Sequence, residues 1–308
     1  MKVAIIGAGI NGLYLAQRLA KRGEDVTVFE KREKAGKEVC SGLFSERILD
    51  FIPEAEGLIQ SRIDNLLIHF PKKTIKIQFS RKFFLIDHYS LDNLATIAAQ
   101  KSGAKIVFQK EVFVLPEGFD RIIGCDGALS QTRKLLGGNN PDFYLGIQGF
   151  AERKEAMDLI ETWPTESGFM WKIPRADEIE YGIMERPKKA KKIFDEFLKN
   201  NSILLYKIKS AIIPRGLIIP FNKKITLCGD AVGLTKPWSG GGVVWGLIAA
   251  DILLKNFPDF LRYRNSLKRF FIIRIFFSSI ITKTAYFLGN NFPCFLPKNI
   301  RMESDFIL

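Results

Sequence analysis

Residues 1–30 read MKVAIIGAGINGLYLAQRLAKRGEDVTVFE. After Lys2 the run to Ile6 is continuously apolar, the pattern of a strand buried on both faces of a parallel sheet. Glycines follow at Gly7, Gly9 and Gly12, then an apolar-periodic helix, "NGLYLAQRLAKRG", that stops at Gly23, and a second strand, "DVTVFE", that ends on Glu30. Together these make a complete βαβ unit. Gly7 allows the tight turn, Gly9 lets a pyrophosphate approach the backbone, and Gly12 permits close helix–strand packing. The helix N-terminus then offers free N–H groups to phosphate. Glu30 stands where a carboxylate receives ribose hydroxyls, and its charge repels a 2′-phosphate. The dinucleotide is therefore expected to be FAD or NAD rather than NADP.

Two later stretches complete the pattern. "IIGCDGALSQTRKLLG" (122–137) carries Asp126 and Gly127, and "ITLCGDAVGLTKP" (225–237) carries Gly229 and Asp230, followed by Gly240, Gly241 and Gly242. A strand-end aspartate can accept hydroxyl hydrogen bonds, and the helix after the glycines can present N–H groups to a flavin's pyrimidine edge. Both stretches resemble the second and third fingerprints of the FAD-dependent family that includes p-hydroxybenzoate hydroxylase and the geranylgeranyl reductases. The resemblance covers roughly residues 1–256. It implies FAD as cofactor, with Asp230 on the ribityl chain and a Rossmann-like FAD-binding domain carrying an interleaved antiparallel-sheet substrate domain.

Within that family the chain is most similar to the geranylgeranyl reductases. "KEVCSGLFS" resembles their segment with a cysteine beside the flavin ring, which maps to Cys40 with Gly42 behind it. "GFMWKIPRADEIEYGI" resembles their Tyr-x-Trp-x-Phe-Pro-Lys motif. Phe169, Trp171 and Pro174, with Trp238 beyond, are the expected substrate-groove residues, because an aromatic strand can line a groove for a long apolar chain. The chain departs from the pattern at Phe169, Ile173 and Arg175, and in "LIDHYSLDNLA", where His88 stands for an arginine and Leu91 for a phenylalanine. Each candidate has a plainer alternative: Cys40 as a small buried side chain, and Trp171, Trp238 and Trp245 as packing. His69 and His88 read as structural, and Cys125 and Cys228 as core.

Residues 63–86 alternate apolar and polar about a Pro-Lys-Lys turn, "SLDNLATIAAQKSGA" reads as an amphipathic helix, and 143–214 is strand-rich with a basic helix at 187–200. The expected domains are discontinuous. Residues 1–65, 87–139 and 221–256 form the FAD domain, 66–86 and 140–220 the substrate sheet, and 257–308 a helical tail that contacts membrane.

The 308 residues are 47% apolar and 26% charged, as in ordinary folded proteins, but the net charge is +13. That charge favours anionic partners. No nucleic-acid motif accompanies it, so the basic, Phe-rich tail reads either as a core-covering helix or as an interfacial helix on anionic lipid. Four scattered cysteines with no CxxC pair argue against a zinc site or a disulfide framework. The N-terminus lacks the layout of a signal peptide, and charges at Lys236, Asp251, Arg274 and Lys283 interrupt every candidate span, so a cytoplasmic protein peripheral to the membrane is expected.

The function implied by the resemblance is FAD-dependent saturation of double bonds in an isoprenoid lipid, with Cys40 as catalytic residue. Electrons would come from a reduced redox protein or a pyridine nucleotide. The alternatives are a flavin monooxygenase on an aromatic or polyketide substrate, and a non-catalytic FAD-binding protein that handles lipid.

Overall fold

The computed structural model describes residues 1–36, 39–152 and 159–307. In chain order it opens with β1 (Lys2–Ile6), α1 (Ile10–Ala20), β2 (Asp25–Phe29), β3 (Leu43–Ser45) and α2 (Ile48–Phe51). A long hairpin, β4 (Ile59–Phe70) and β5 (Lys73–Ile86), leads to α3 (His88–Lys101), β6 (Lys105–Val107), β7 (Arg121–Gly124) and α4 (Gln131–Leu135). Then come β8 (Asp142–Glu152), β9 (Ile160–Pro164), β10 (Phe169–Pro174), β11 (Glu178–Glu185), α5 (Pro187–Asn200) and β12 (Tyr206–Arg215). The chain finishes with β13 (Ile225–Leu227), α6 (Val243–Asn256), α7 (Phe260–Asn291) and β14 (Asn299–Met302).

The first sheet has five strands in the order β13-β7-β1-β2-β6, all parallel. Its central strand buries Val3, Ala4 and Ile5 completely, so the unbroken apolar run after Lys2 corresponds to a strand covered on both faces. Helices α1, α3 and α6 pack together over it, and the Tyr14 hydroxyl donates to Asp251 at 2.7 Å, tying α1 to α6. Asp251, which breaks the hydrophobic run in sequence, is thus an inter-helix anchor.

The second sheet has nine strands in the order β12-β8-β11-β10-β9-β4-β5-β14, with β3 beside β5. It differs from the expected antiparallel sheet in two places: β4 runs parallel to β9, and β14 parallel to β5. The expected domain limits shift for the same reason. Residues 59–65 belong to β4 and so to this sheet, not to the FAD domain, and Leu43–Ser45 joins it through β5.

The tail takes the core-covering role over its first half. Phe260, Tyr263, Leu267 and Phe271 of α7 are at most 1% exposed, and the Tyr263 hydroxyl donates to the Leu227 carbonyl at 3.0 Å. This half of the helix is core, and β14 returns the chain to the large sheet. With a mean hydropathy of 1.5 over its most apolar window, α7 is long and apolar enough by composition to cross a membrane, despite Arg274 and Lys283. Buried positions at Phe260, Tyr263, Leu267, Phe271, Ser278 and Gly289 nevertheless run along its whole length, so one stripe of the helix faces the protein throughout. The opposite stripe, including Ile273, Phe276, Phe277 and Phe287, is exposed.

Candidate active site

The β1–α1 turn shows three glycines doing three different things. Gly7 has φ +105°, and a Cβ there would lie 2.4 Å from the Cys125 carbonyl oxygen; one at Gly12 would lie 2.1 Å from the Gly7 carbonyl. A Cβ at Gly9 meets nothing within 4 Å. Gly9 also begins α1, with no side-chain cap and no acidic residue in the first turn. The helix N-terminus therefore faces open space with its positive end unneutralised, as an anion site requires.

Glu30 is 4% exposed and holds this turn to the end of β2. Its Oε2 accepts the Ala8 N–H at 2.8 Å, while Oε1 accepts the Arg32 N–H at 3.0 Å and Nε at 3.1 Å. Oε2 has a further lone pair for a hydroxyl. Asp126 acts through its own loop: Oδ1 accepts from Ser130 Oγ at 2.5 Å, and Oδ2 from Thr132 N at 2.8 Å and Oγ1 at 2.9 Å. Its carboxylate shapes the turn through Gly127 (φ +78°) and the start of α4.

The loop after β13 closes onto the same place. Gly229, at φ +66°, packs so tightly on Asn11 that a Cβ would lie 2.4 Å from Nδ2; Gly246 would clash with the same atom at 2.5 Å. Asn11 is thereby wedged between α1, this loop and α6, and its Oδ1 is buried without a partner. A buried acceptor left over at the junction of the first and third fingerprints is what a hydroxyl-bearing ligand supplies a donor to. Gly242 starts α6, again with no side-chain cap and no first-turn acid. These features fit a flavin dinucleotide.

The three consecutive glycines pack closely against the protein itself. A Cβ at Gly240 would lie 2.4 Å from Met184 Sδ, one at Gly241 3.0 Å from Lys236 Cε, and one at Gly242 2.7 Å from Asp230 Oδ1. The protein's own atoms thus crowd all three positions, and φ +67° at Gly240 favours glycine there.

Beside this loop lies a cavity of about 560 Å³, whose lining includes Cys40, Asp230 and Gly240–Gly242. It continues between the large sheet and α7 to Tyr286, Leu296 and Met302. Phe169, Trp171 and Trp238 lie on its wall. Pro174 does not: residues 169, 171 and 173 of β10 face the cavity, and the period of two along a strand turns Pro174 to the other face. The groove side chain there is Ile173.

Cys40 is half-buried, and its sulfur accepts the Gly42 N–H at 3.4 Å. Its loop is held from β10 and β11. Trp171 Nε1 donates to Glu180 Oε1 at 2.9 Å, Arg175 pairs with the other Glu180 oxygen, and Arg175 also donates to the Ser41 carbonyl at 2.7 Å. Burial pushes the Glu180 carboxyl above its usual range, against the opposing pull of Arg175 and Trp171. The Arg175 position, a departure from the motif, thus anchors the cysteine loop.

A model of the NAD(P)-binding Rossmann-like domain matches residues 5–49. The chain is 24% identical to digeranylgeranylglycerophospholipid reductase 1 of Methanosphaera stadtmanae, over 83% of this chain and 76% of that protein. Among solved structures it matches a geranylgeranyl bacteriochlorophyll reductase-like protein from Thermoplasma acidophilum with TM-score 0.79 and 18% identity, over 92% and 87% of the two chains. The chain is an FAD-dependent oxidoreductase, similar in sequence to the first of these proteins and in fold to the second. The fold is shared more widely: the myxobacterial chondrochloren halogenase, an FAD-dependent enzyme, matches with TM-score 0.75 and 14% identity, over 94% and 83%.

Sequence reasoning missed several residues of this oxidoreductase. Arg133 is 1% exposed and donates to the carbonyls of Ala231 (2.7 Å) and Ala128 (2.8 Å), binding the second fingerprint to the third. Burial lowers its guanidinium below the usual range, and Asp126 opposes that. Asn11, inside "GAGING", was readable only as a helix-start residue. Asp305, which engages Lys236 from far along the chain, had no signal at all. His88, read as structural, is buried with Asp92.

Proposed function

We propose that this FAD-dependent oxidoreductase saturates carbon–carbon double bonds of a long isoprenoid chain. The observation that carries the reading is the cavity: about 560 Å³, lined mostly by apolar side chains, with Cys40 and the Gly240–Gly242 loop on its wall. Its volume falls within the roughly 300–1,000 Å³ of small-molecule sites. Its wall of Ile, Phe and Met side chains suits a hydrocarbon better than a polar substrate.

The residues divide the work of binding. Gly9 and the α1 N-terminus would hold the pyrophosphate, Glu30 the adenosine ribose, Gly229 and Asp230 the ribityl segment, and the α6 N-terminus the pyrimidine edge. When bound and reduced, FAD supplies a hydride equivalent to one alkene carbon. Phe169, Trp171, Ile173 and Trp238 hold the chain so that this carbon is presented at Cys40, which gives a proton to its neighbour. An isolated alkene is a poor acceptor, so positioning must supply much of the rate. Electrons reach the protein from a reduced redox protein or a pyridine nucleotide.

The substrate's source is a membrane surface. The 260–291 helix carries six basic residues and no acidic one, and its outer stripe exposes Ile273 (60%), Phe276 (59%) and Phe287 (58%). Its inner side, at Ile281, Thr282, Ala285 and Tyr286, lines the cavity. A helix with a lipid-compatible outside and a cavity-lining inside lets a chain pass beneath it while the headgroup stays with the bilayer. Flotation with anionic vesicles should recover the protein, and a Phe276→Glu/Phe277→Glu variant should lose at least ~10-fold in recovery, since both apolar burial and charge balance suffer. Equal recovery of variant and parent would contradict this docking face.

The reading itself is tested by product analysis. Protein reduced without oxygen and given a geranylgeranyl glycerolipid should yield lipid with two hydrogens added per double bond. Unchanged lipid without oxygen, with hydroxylated product when oxygen is admitted, would replace the reductase by a monooxygenase. No product under either condition would leave a lipid-handling flavoprotein.

A further inference from the structure

Helix α7 carries a single glycine, Gly289, in its last turn. The residue keeps helical backbone, so it does not serve as a left-handed helix end. Close contact explains it instead. A Cβ at Gly289 would lie 2.1 Å from Phe70 Cε1 and 2.4 Å from Cζ, so the ring is pressed against bare helix backbone. Phe70 is the last residue of β4, is 6% exposed and lines the cavity. Tyr286, one turn earlier on α7, meets its ring edge-on at 6.4 Å. Lys73, opposite Phe70 across the hairpin, donates to the carbonyls of Pro293 (3.0 Å) and Leu296. The hairpin tip is thus tied to the end of α7 and to the turn that follows it.

Strand register relates this tip to the glycine loop. Alternate residues of the hairpin face the cavity, Leu66, Ile68 and Phe70 on β4 and Ile75, Ile77 and Phe79 on β5, and all six are apolar. Further down the hairpin Ile63 pairs with Phe83, and Lys236 Nζ stands 5.5 Å from the centre of the Phe83 ring. Lys236 is the residue that closes the glycine loop. From Ile63 to Phe70 the strand covers about 20 Å. An extended isoprenoid advances about 5 Å per unit, four carbon–carbon bonds in zigzag. The apolar floor between the glycine loop and Phe70 therefore matches about four units.

We propose that Phe70, seated under Gly289, is the end stop of the cavity and sets the length of isoprenoid chain that the protein takes. The proposal rests on the reading of the cavity as an isoprenoid site. The ring cannot swing away from the cavity, because helix backbone lies directly behind it. A chain shorter than the floor leaves apolar surface at the tip without a partner, and a longer one gains nothing past the ring, since its surplus stays outside. Phe70 is a specificity-determining residue and takes no part in the chemistry, which belongs to the opposite end of the hairpin.

Calorimetric titration of oxidised holoprotein with all-trans polyprenyl alcohols of increasing length tests this without turnover. Affinity should rise at least ~10-fold with each isoprene unit buried. It should level off after about four units. Phe70→Ala opens space beneath Gly289 and should postpone the levelling by one unit. Ile77→Trp places a bulky ring across the middle of the floor and should bring it forward by at least one unit. This second variant decides the matter should Phe70→Ala fail to fold. Retained flavin absorbance and a cooperative melt report that each variant is folded. Levelling at the parent's length in the folded variants overturns the proposal, as does an absence of binding at every length. A shifted limit in a protein that reduces no alkene would sustain Phe70 as the stop and refute the reductase reading, so the two can fail separately.

Discussion

Gly9→Val is expected to leave the apo fold intact and to remove FAD binding. Gly9 has φ −82° and ψ 172°, ordinary extended backbone, and a Cβ there touches nothing within 4 Å. Valine is therefore compatible with the protein, and the apo melting temperature should stay within ~2 °C, corresponding to under ~1 kcal/mol. The empty space is where a pyrophosphate approaches the α1 N-terminus, and an isopropyl group fills it. FAD affinity should fall at least ~100-fold, the loss of about 2.7 kcal/mol, as the phosphate is pushed off its N–H donors. Gly12→Val gives the contrasting result. There a Cβ lies 2.1 Å from the Gly7 carbonyl and 3.2 Å from Cys125 Cβ, so the fold itself must move and apo stability should drop by several kcal/mol. Thermal melts of both apo proteins, with FAD titration of whichever folds, check the pair. If Gly9→Val retained parental FAD affinity, the phosphate site would lie elsewhere.

Asp305→Ala should be among the most destabilising single changes in the C-terminal segment. Asp305 is fully buried and its carboxylate accepts from Ser45 Oγ at 2.5 Å, Arg47 Nε at 3.2 Å and Lys236 Nζ at 3.2 Å. Its backbone carbonyl accepts from Trp245 Nε1 at 2.9 Å. Without the carboxylate, Lys236 is left as a buried cation, and breaking such a pair from one side costs roughly 3–5 kcal/mol. The exposed Lys82–Asp64 pair, at 3.1 Å, provides the comparison, since Asp64→Ala should cost under ~1 kcal/mol. The damage should also reach the cofactor. Lys236 closes the glycine loop, its N–H donating to the Gly241 carbonyl at 3.0 Å and its carbonyl accepting from Gly240 at 2.9 Å. Denaturant unfolding should show the loss, and FAD should dissociate faster from the folded fraction. Stability equal to the parent would mean that Lys236 has another route to water or charge.

Much of this was legible in the first 30 residues, because the parallel strand, the glycine turn and Glu30 are each demanded by local chemistry that sequence spacing records. The hairpin at 63–86, the helix at 88–101 and the helix at 187–200 follow from periodicity in the same way. What sequence could not carry were contacts between distant segments. The tail reads either as a core-covering helix or as an interfacial one, and only the fold shows that Phe260 to Phe271 complete the core and that β14 completes a sheet. Pro174 was assigned to the groove from its motif, but alternation along β10 puts Ile173 there instead. His88 looked isolated, yet the fold buries it beside Asp92, and only the i, i+4 spacing of the two was visible beforehand. Asp126 and the three glycines at 240–242 were singled out as cofactor contacts, and their immediate partners are protein atoms.

The central claim is that a reduced flavin at the Gly240–Gly242 loop is oxidised by an alkene held in the adjoining cavity. Rapid mixing of anaerobically reduced protein with geranylgeranyl lipid, followed at the oxidised-flavin absorbance, tests this most directly. The expected result is return of that absorbance with lipid alone, in step with hydrogen uptake by the lipid, and its loss in an Ala285→Trp variant whose cavity is blocked while FAD remains bound. Flavin that stays reduced under lipid and reoxidises only when oxygen is admitted would contradict the account.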